Sequence, residues 1–298
     1  MISIVITYFN SSEFIKRALY YAHLQKVVEK EIIVVDDGSD NNNKKVLSQY
    51  TDLIDLLITQ KNKGQAAARN AGISKATGDF ILNWDVDDYF EAEFSSEALK
   101  ILEEKSNIKL VSSYALRTSN GISGELIRPL GGNYQNFLFE NAALGSAMFR
   151  KLDWENAGGY DEKIKVGYED WDFYLRLLYP KGEAFIIPEQ LFTYHRHPES
   201  TTSLILRERS ALIKRKYIYK KNETIYQQHY PELIDDVFYR LEREEQERYK
   251  NLERVEYKIG YYILKPLRKL KKHFTYFRKG LTSKVVGKSE SYYRSKSS

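Results

Sequence analysis

Short apolar runs alternate with amphipathic stretches along the first ninety residues of the chain. Ile2 to Thr7 is apolar and β-branched, the pattern of a strand buried on both faces. A polar turn follows, Ser11 or Ser12 stands where a helix would be capped, and the periodic stretch behind them runs to about His23. Glu31 to Val35 predicts a second strand, Lys44 to Asp52 a helix, and Ile54 to Thr59 a third strand. Gln65 to Ala76 reads as an alanine-rich helix closed by Thr77-Gly78, and Phe80 to Trp84 as a fourth strand. This alternation predicts a doubly wound α/β fold with a mostly parallel central sheet flanked by helices. In such sheets ligands bind beyond the carboxyl ends of the strands. Thr7, Asp37, Asn62 and the stretch from Asp85 to Asp88 all fall at such ends.

The pattern then loosens. Glu93 to Glu104 predicts a helix, Lys109 to Arg117 a strand, Gly121 to Gly132 a glycine-rich loop, and Leu144 to Phe149 another strand. After the turn Gly158 to Asp161, helical periodicity runs from Tyr168 to Leu178 with Asp170 near its start. Ala184 to Pro188 and Phe192 to His197 read as two further strands. From about Leu204 the chain becomes charged and helical, with little Gly or Pro. The expected division is an α/β domain over 1–203 and a charged helical extension over 204–298, its Ser-, Lys- and Tyr-rich end disordered.

Charge sharpens that division. The net charge of +5 conceals a tail from Tyr257 onward with twelve basic residues against the single Glu290, so the rest of the chain is acidic. Ile259, Tyr262, Ile263, Leu267 and Leu270 recur at helical spacing among those bases, interrupted by Pro266. Such a stretch predicts a peripheral contact with an anionic membrane through 257–279. A packed helix with a solvated basic face is the competing reading. The acidic body argues against nucleic acid as a partner. With no cysteine, a disulfide framework and a Cys-ligated zinc site are both excluded. Met1 runs straight into the first strand without a charged leader, so no signal peptide is expected, and no run approaches the ~18 apolar residues of a membrane span. The expected location is cytoplasmic, peripheral at the cytoplasmic face of the membrane.

The densest candidate chemistry is Asp85, Asp87 and Asp88. Three carboxylates this close repel one another and raise each other's pKa unless a cation joins them. Carboxylate oxygens suit hard divalent ions, Mn²⁺ or Mg²⁺, which bind through one or two side chains plus a substrate diphosphate. A solvated acidic turn is the alternative, since Asp is common in turns. The strand feeding directly into the cluster favours the metal.

Several spaced motifs together resemble the family 2 glycosyltransferases of the GT-A fold. They are Ser3 to Asn10, Asp36-Asp37-Gly38-Ser39, Asn62-Lys63-Gly64 with Ala68-Arg69-Asn70, Gly78-Asp79, Asp85-Val86-Asp87-Asp88, Glu169-Asp170 and Tyr194-His195-Arg196-His197. The resemblance covers roughly residues 2 to 203. It implies transfer of a sugar from a nucleotide-diphosphate donor to a hydroxyl of a glycan or lipid-linked acceptor, with a divalent ion and inversion. On the matching positions it implies Thr7, Asp37, Asn62, Arg69 and Asp85 as donor-nucleotide residues. Asp87, Asp88 and His197 become metal or diphosphate ligands, and Asp170 the general base. Uracil presents an N3–H that a carboxylate such as Asp37 accepts, which favours a UDP-sugar without excluding an amino-bearing base.

Plainer roles compete at each position. Asp36 suits a turn, Arg69 a solvated helix face, Glu169 and Asp170 a helix N-terminus, and His197 a surface hydrogen bond. Asn83-Trp84 before the acidic motif departs from the family pattern, and Trp84 is expected to narrow the pocket. The chain lacks the Gln-x-x-Arg-Trp motif of processive members, which favours single-sugar transfer. The alternatives are a metal-dependent nucleotidyltransferase, for which Thr7 to Ser12 lacks a phosphate loop, and a non-catalytic nucleotide-sugar-binding protein.

Overall fold

The first strand, β1 (Ile2–Tyr8), is buried along its whole length, because parallel neighbours pair with both of its edges. The computed structural model describes residues 1–119, 122–196 and 211–264 of the 298. β2 (Lys30–Asp36) and β4 (Phe80–Asp85) flank β1 in parallel, and β3 (Leu56–Thr59) adds to the far edge of β2. Beyond β4 the sheet turns mixed. β9 (Ala147–Arg150) lies antiparallel between β4 and β6 (Ile108–Ser119), and β10 (Glu183–Arg196) runs parallel to β6. The short β5 (Tyr89–Phe90) closes the edge against β10, giving the order β3-β2-β1-β4-β9-β6-β10-β5. β7 (Ile122–Ile127) pairs with β6, and β8 (Gly132–Asn133) with β10.

Alternation along the strands sends side chains to two covered faces. Ile4, Ile6, Leu82 and Trp84 share one core with Ala18 and Leu19 of α1 (Ile15–Leu24) and Ala98 and Leu102 of α4 (Phe94–Glu104). Phe90 stacks on Phe94 with ring centroids 3.9 Å apart and meets Phe192 at 4.5 Å. The opposite face carries α3 (Gln65–Lys75), whose alanines and Gly72 let the helix approach closely. A Cβ at Gly72 would lie 2.4 Å from Val5 Cγ1, so a larger residue there would push the helix off the sheet. α2 (Asn41–Leu47) is capped by Asp40, which accepts from Asn43 N at 2.9 Å, and gives way to a 3-10 turn at Ser48–Leu53. The helix expected from Lys44 therefore starts three residues earlier, and its end winds more tightly.

Two other elements differ from the pattern reading. The two strands expected at Ala184–Pro188 and from Phe192 onward merge into β10, which crosses Pro188 with register shifts between Ile187, Gln190 and Phe192. A proline without an N–H is tolerated at such a bulge. The glycine-rich loop contains β7, folded back on β6. The dipeptide Asn120-Gly121 between them is a hairpin signal that the loop reading passed over.

The chain divides into two units, Met1–Gln228 and His229–Ser298. In the first, α5 (Lys151–Asn156) follows β9, and α6 (Glu169–Leu178) carries the fully buried Asp172. Asp172 accepts from Arg176 at 2.8 Å, from Lys221 at 2.7 Å and from Asn222 at 3.0 Å. These bonds tie α7 (Ala211–Lys221) and the following α8 (Glu223–Gln228) to the sheet-bearing body. The expected boundary at 203 falls in the span 197–210, outside the described residues. The second unit contains α9 (Tyr230–Glu253), with Pro231 in its first turn and an Asp236–Arg240 pair at 2.7 Å. Helix resumes over 255–264, where Tyr262 and Ile263 are exposed. Among the described residues no helix is long and apolar enough to cross a membrane.

Candidate active site

The parallel strands end together, and their ends make a cleft. A cavity of about 330 Å³ is lined by Thr7, Asp37, Asn62, Asp85, Asp87 and Asp88, with Phe9, Lys165 and Tyr194 on its walls. Six residues expected at the site thus meet in one place, brought from β1, β2, β3 and β4. A larger groove of about 540 Å³ lies by Asn70 and Trp154, but the acidic cluster is not part of it. The chemistry, not the volume, marks the cleft as the site.

Each wall is built locally. Asp36 accepts from Ser39 N at 2.9 Å and so shapes the turn after β2. Gly38, at φ +82°, brings that turn against Asn62, where a Cβ would lie 2.5 Å from the backbone nitrogen. Asp37, almost wholly buried, accepts from Gln60 Nε2 at 2.7 Å, Lys63 N at 2.9 Å and Gly64 N at 2.8 Å. It therefore anchors the loop that presents Asn62.

Asp85, Asp87 and Asp88 bring one carboxylate oxygen each to within 4.8 Å of one another. Asp85 is held from two sides, by Thr7 Oγ1 at 3.0 Å and by Arg69 at 3.0 and 3.3 Å. Asp88 is 3% exposed and accepts from His195 N at 2.8 Å. Burial, then the charges of Asp87 and Asp85, push its carboxyl well above the usual range. An all-oxygen donor set under mutual repulsion fits a hard divalent cation.

Arg69 stands behind the cleft wall rather than on it. Its guanidinium is 2% exposed, bonds Glu169 Oε1 at 2.8 Å as well as Asp85, and lies over the Tyr160 ring at 5.3 Å. Glu169 is buried with it, and burial pushes that carboxyl up to about 7 against the pull of Arg69. The neighbouring Asp170 accepts from Asn141 Nδ2 and from Trp171 N, both at 2.8 Å. Its carboxyl is also raised, first by burial, with Arg69 opposing. Asp170 borders Gly145 on the Arg69 side of Asp85, where a Cβ on Gly145 would come 3.0 Å from Asp170 Oδ2.

Trp84 does not narrow the pocket. It is fully buried in the core beside Phe90, because strand alternation sends it to the face opposite Asp85. His197 lies outside the described residues. Phe9, 46% exposed at the mouth, and Tyr194 stand in the motifs quoted above but were given no site role, and Lys165 and Asn141 escaped the pattern reading. An exposed aromatic directly after β1 was a legible signal for Phe9. Lys165 carries no spacing signal at all.

The cleft at the carboxyl ends, the acidic cluster and the mixed sheet define a GT-A-type fold. The Glycosyl transferase family 2 model matches residues 3–154, and the chain belongs to that family. It is 31% identical over 184 residues to an uncharacterized glycosyltransferase, YwdF, of Bacillus subtilis, covering 59% of this chain and 67% of that one. Staphylococcus aureus TarS 1-349 in complex with UDP-GlcNAc superposes with a TM-score of 0.58 at 19% identity, over 68% of this chain and 60% of that chain. A mannosyltransferase of Pyrobaculum calidifontis in complex with GDP-Man and Mn²⁺ gives a TM-score of 0.57 at 16% identity, over 74% and 64%. These two likenesses show the fold, and the chain spans less than two thirds of either.

Removing one partner of the buried pair should be costly. Arg69→Leu leaves Glu169 buried and uncompensated, and is expected to lower unfolding free energy by about 3–5 kcal/mol. Arg69→Leu/Glu169→Leu should cost less than the sum of the single changes in urea denaturation. Strict additivity would mean that the pair does not act as a unit.

Proposed function

We propose that the chain is a metal-dependent, inverting, non-processive glycosyltransferase. It moves one sugar from a nucleotide-diphosphate donor, preferentially a UDP-sugar, to a hydroxyl of a glycan or lipid-linked acceptor in surface polysaccharide or glycoconjugate synthesis. The observation that carries this reading is the meeting of Asp85, Asp87 and Asp88 with Thr7, Asp37 and Asn62 in one cleft.

Thr7, Asp37 and Asn62 take the nucleoside. An ionised carboxylate offers about four acceptor sites, and Asp37 has committed three bonds to the loop after β3. The remaining site faces an incoming N–H, as a uracil N3–H would supply. Phe9 offers its exposed ring to the base. Asp87 and Asp88, with His197 by family resemblance, hold the divalent cation, Mn²⁺ or Mg²⁺. When bound, that ion would offset the negative charge growing on the diphosphate leaving group. Arg69 fixes Asp85 from behind. Asp170 takes the proton of the acceptor hydroxyl as its oxygen attacks the anomeric carbon in line. Asn141 and the Trp171 N–H orient that carboxylate, and its raised pKa makes it the stronger base.

Exposed Tyr262 and Ile263, ahead of the basic run in sequence, support the peripheral contact with an anionic membrane through 257–279. That contact would hold the enzyme at the cytoplasmic face, beside a lipid-linked acceptor.

Calorimetric titration with UDP, GDP and CDP, each with Mn²⁺ and with chelator, should show metal-dependent binding of one diphosphate that Asp87→Ala abolishes. Absence of binding to all three by the wild-type protein would sink the transferase reading. Asp170→Asn should retain donor binding and lose transfer activity by ~10²–10⁴-fold. The base works deprotonated, so the wild-type rate should fall as pH drops through a pKa above the usual ~3.9 of aspartate. A wild-type rate flat across that range would remove Asp170 from the role. Sedimentation with phosphatidylserine vesicles should be lost in Lys269→Glu/Lys271→Glu/Lys272→Glu, and unchanged sedimentation would leave the basic run without a role in it.

A further inference from the structure

We infer that Lys165 is a second contact to the donor diphosphate, an ammonium that reaches the phosphates from the wall it shares with Gly64. The inference rests on reading the cleft as a nucleotide-sugar site.

Four acidic side chains line the cleft, Asp37, Asp85, Asp87 and Asp88, and Lys165 is the one basic side chain that lines it among the described residues. Two nearby arginines are committed elsewhere. Arg69 is buried between Asp85 and Glu169. Arg17 donates to the Asp87 carbonyl at 2.7 Å, with its guanidinium over the Phe14 and Tyr89 rings. An anionic ligand entering a pocket of carboxylates needs more positive charge than a single divalent ion shared with three of them. Among the described residues the basic one that lines that pocket is Lys165.

The backbone of Lys165 is well placed for the task. Its carbonyl packs on Gly64, at 3.0 Å from where a Cβ there would stand. Gly64 N is itself bonded to Asp37. Lys165 is thus registered against the same loop that carries the nucleoside end of the cleft. Its ammonium meets the Lys63 carbonyl at 3.0 Å, a surface contact that leaves the side chain largely in water. Exchanging one exposed carbonyl for phosphate oxygens costs little and gains a charge-assisted bond. The four-carbon stem lets the head turn from the Lys63 carbonyl toward the cleft without backbone motion.

The test separates phosphate contact from loop support. Calorimetry is run with Mn²⁺ on the wild type and on Lys165→Ala, Lys165→Arg and Lys163→Ala. The ligands are whichever of UDP, GDP and CDP the wild type binds and the corresponding nucleoside. Lys165→Ala should weaken diphosphate binding about tenfold or more while leaving nucleoside binding unchanged. Lys165→Arg should restore most of the loss. Lys163→Ala, an exposed lysine on the same loop outside the cleft lining, should change neither ligand. Equal losses for diphosphate and nucleoside would overturn the inference and make Lys165 a support of the Gly64 loop. An unchanged diphosphate affinity in Lys165→Ala, or an equal loss in Lys163→Ala, would overturn it as well. In each of those cases wild-type diphosphate binding remains and the transferase reading stands. Failure of the wild type to bind any of the three diphosphates removes the reading and this inference together.

Discussion

Asp85 is the residue at which the two halves of the cleft are joined, and the buried guanidinium of Arg69 is what holds it there. The ends of β2 and β4 bring carboxylates to one end of the sheet, where mutual repulsion would otherwise splay them. Arg69, on the helix behind, reaches Asp85 on one side and Glu169 on the other. The first partner belongs to the acidic cluster and the second to the helix that carries Asp170. One cation therefore sets the spacing between the acidic cluster and the helix that carries Asp170. Buried with Glu169, it gains there an attraction that solvent screens little, and removing it would leave charge stranded in the interior.

Around that link the molecule is arranged to keep backbone in place rather than to add affinity. Asp36 shapes one turn, Asp37 anchors the next loop with three hydrogen bonds, and Asp40 caps the helix after it. Three acids within five residues thus serve three separate structural tasks, and only Asp37 keeps acceptor capacity toward the cleft. Asp172 does the same for the far side, where Lys221 and Asn222 fasten α7 and α8 to α6. The helical extension consequently begins as part of the sheet-bearing unit, which runs to Gln228.

The proposed chemistry asks little of the protein beyond this pre-organisation. Charge develops on a diphosphate, and in this reading the cleft answers with oxygen ligands for a cation and with the ammonium of Lys165. A proton leaves the acceptor, and a carboxylate with a raised pKa stands ready to take it. The same burial that raises Asp170 also raises Glu169. Only Asp170 lacks an arginine bonded to it, which separates the base from its structural neighbour.

What the sequence determined by itself was the alternation of strands and helices and the set of residues at the strand ends. Period-2 and period-3.6 patterning records which faces are buried, and parallel topology sends every strand terminus to one edge. Thr7, Asp37, Asn62 and the three aspartates were legible for that reason. Tertiary structure alone decided matters that depend on partners distant along the chain. It sent Arg69 inward to Asp85 and Glu169 rather than to solvent, because Glu169 lies one hundred residues away. It put Trp84 in the core, since strand parity, not proximity to the acidic motif, selects the face. It folded 122–127 onto β6 where glycines suggested a loop, and it set Lys165 on the cleft wall through packing on Gly64. No local pattern encodes such contacts, because burial and electrostatic pairing are properties of the assembled chain.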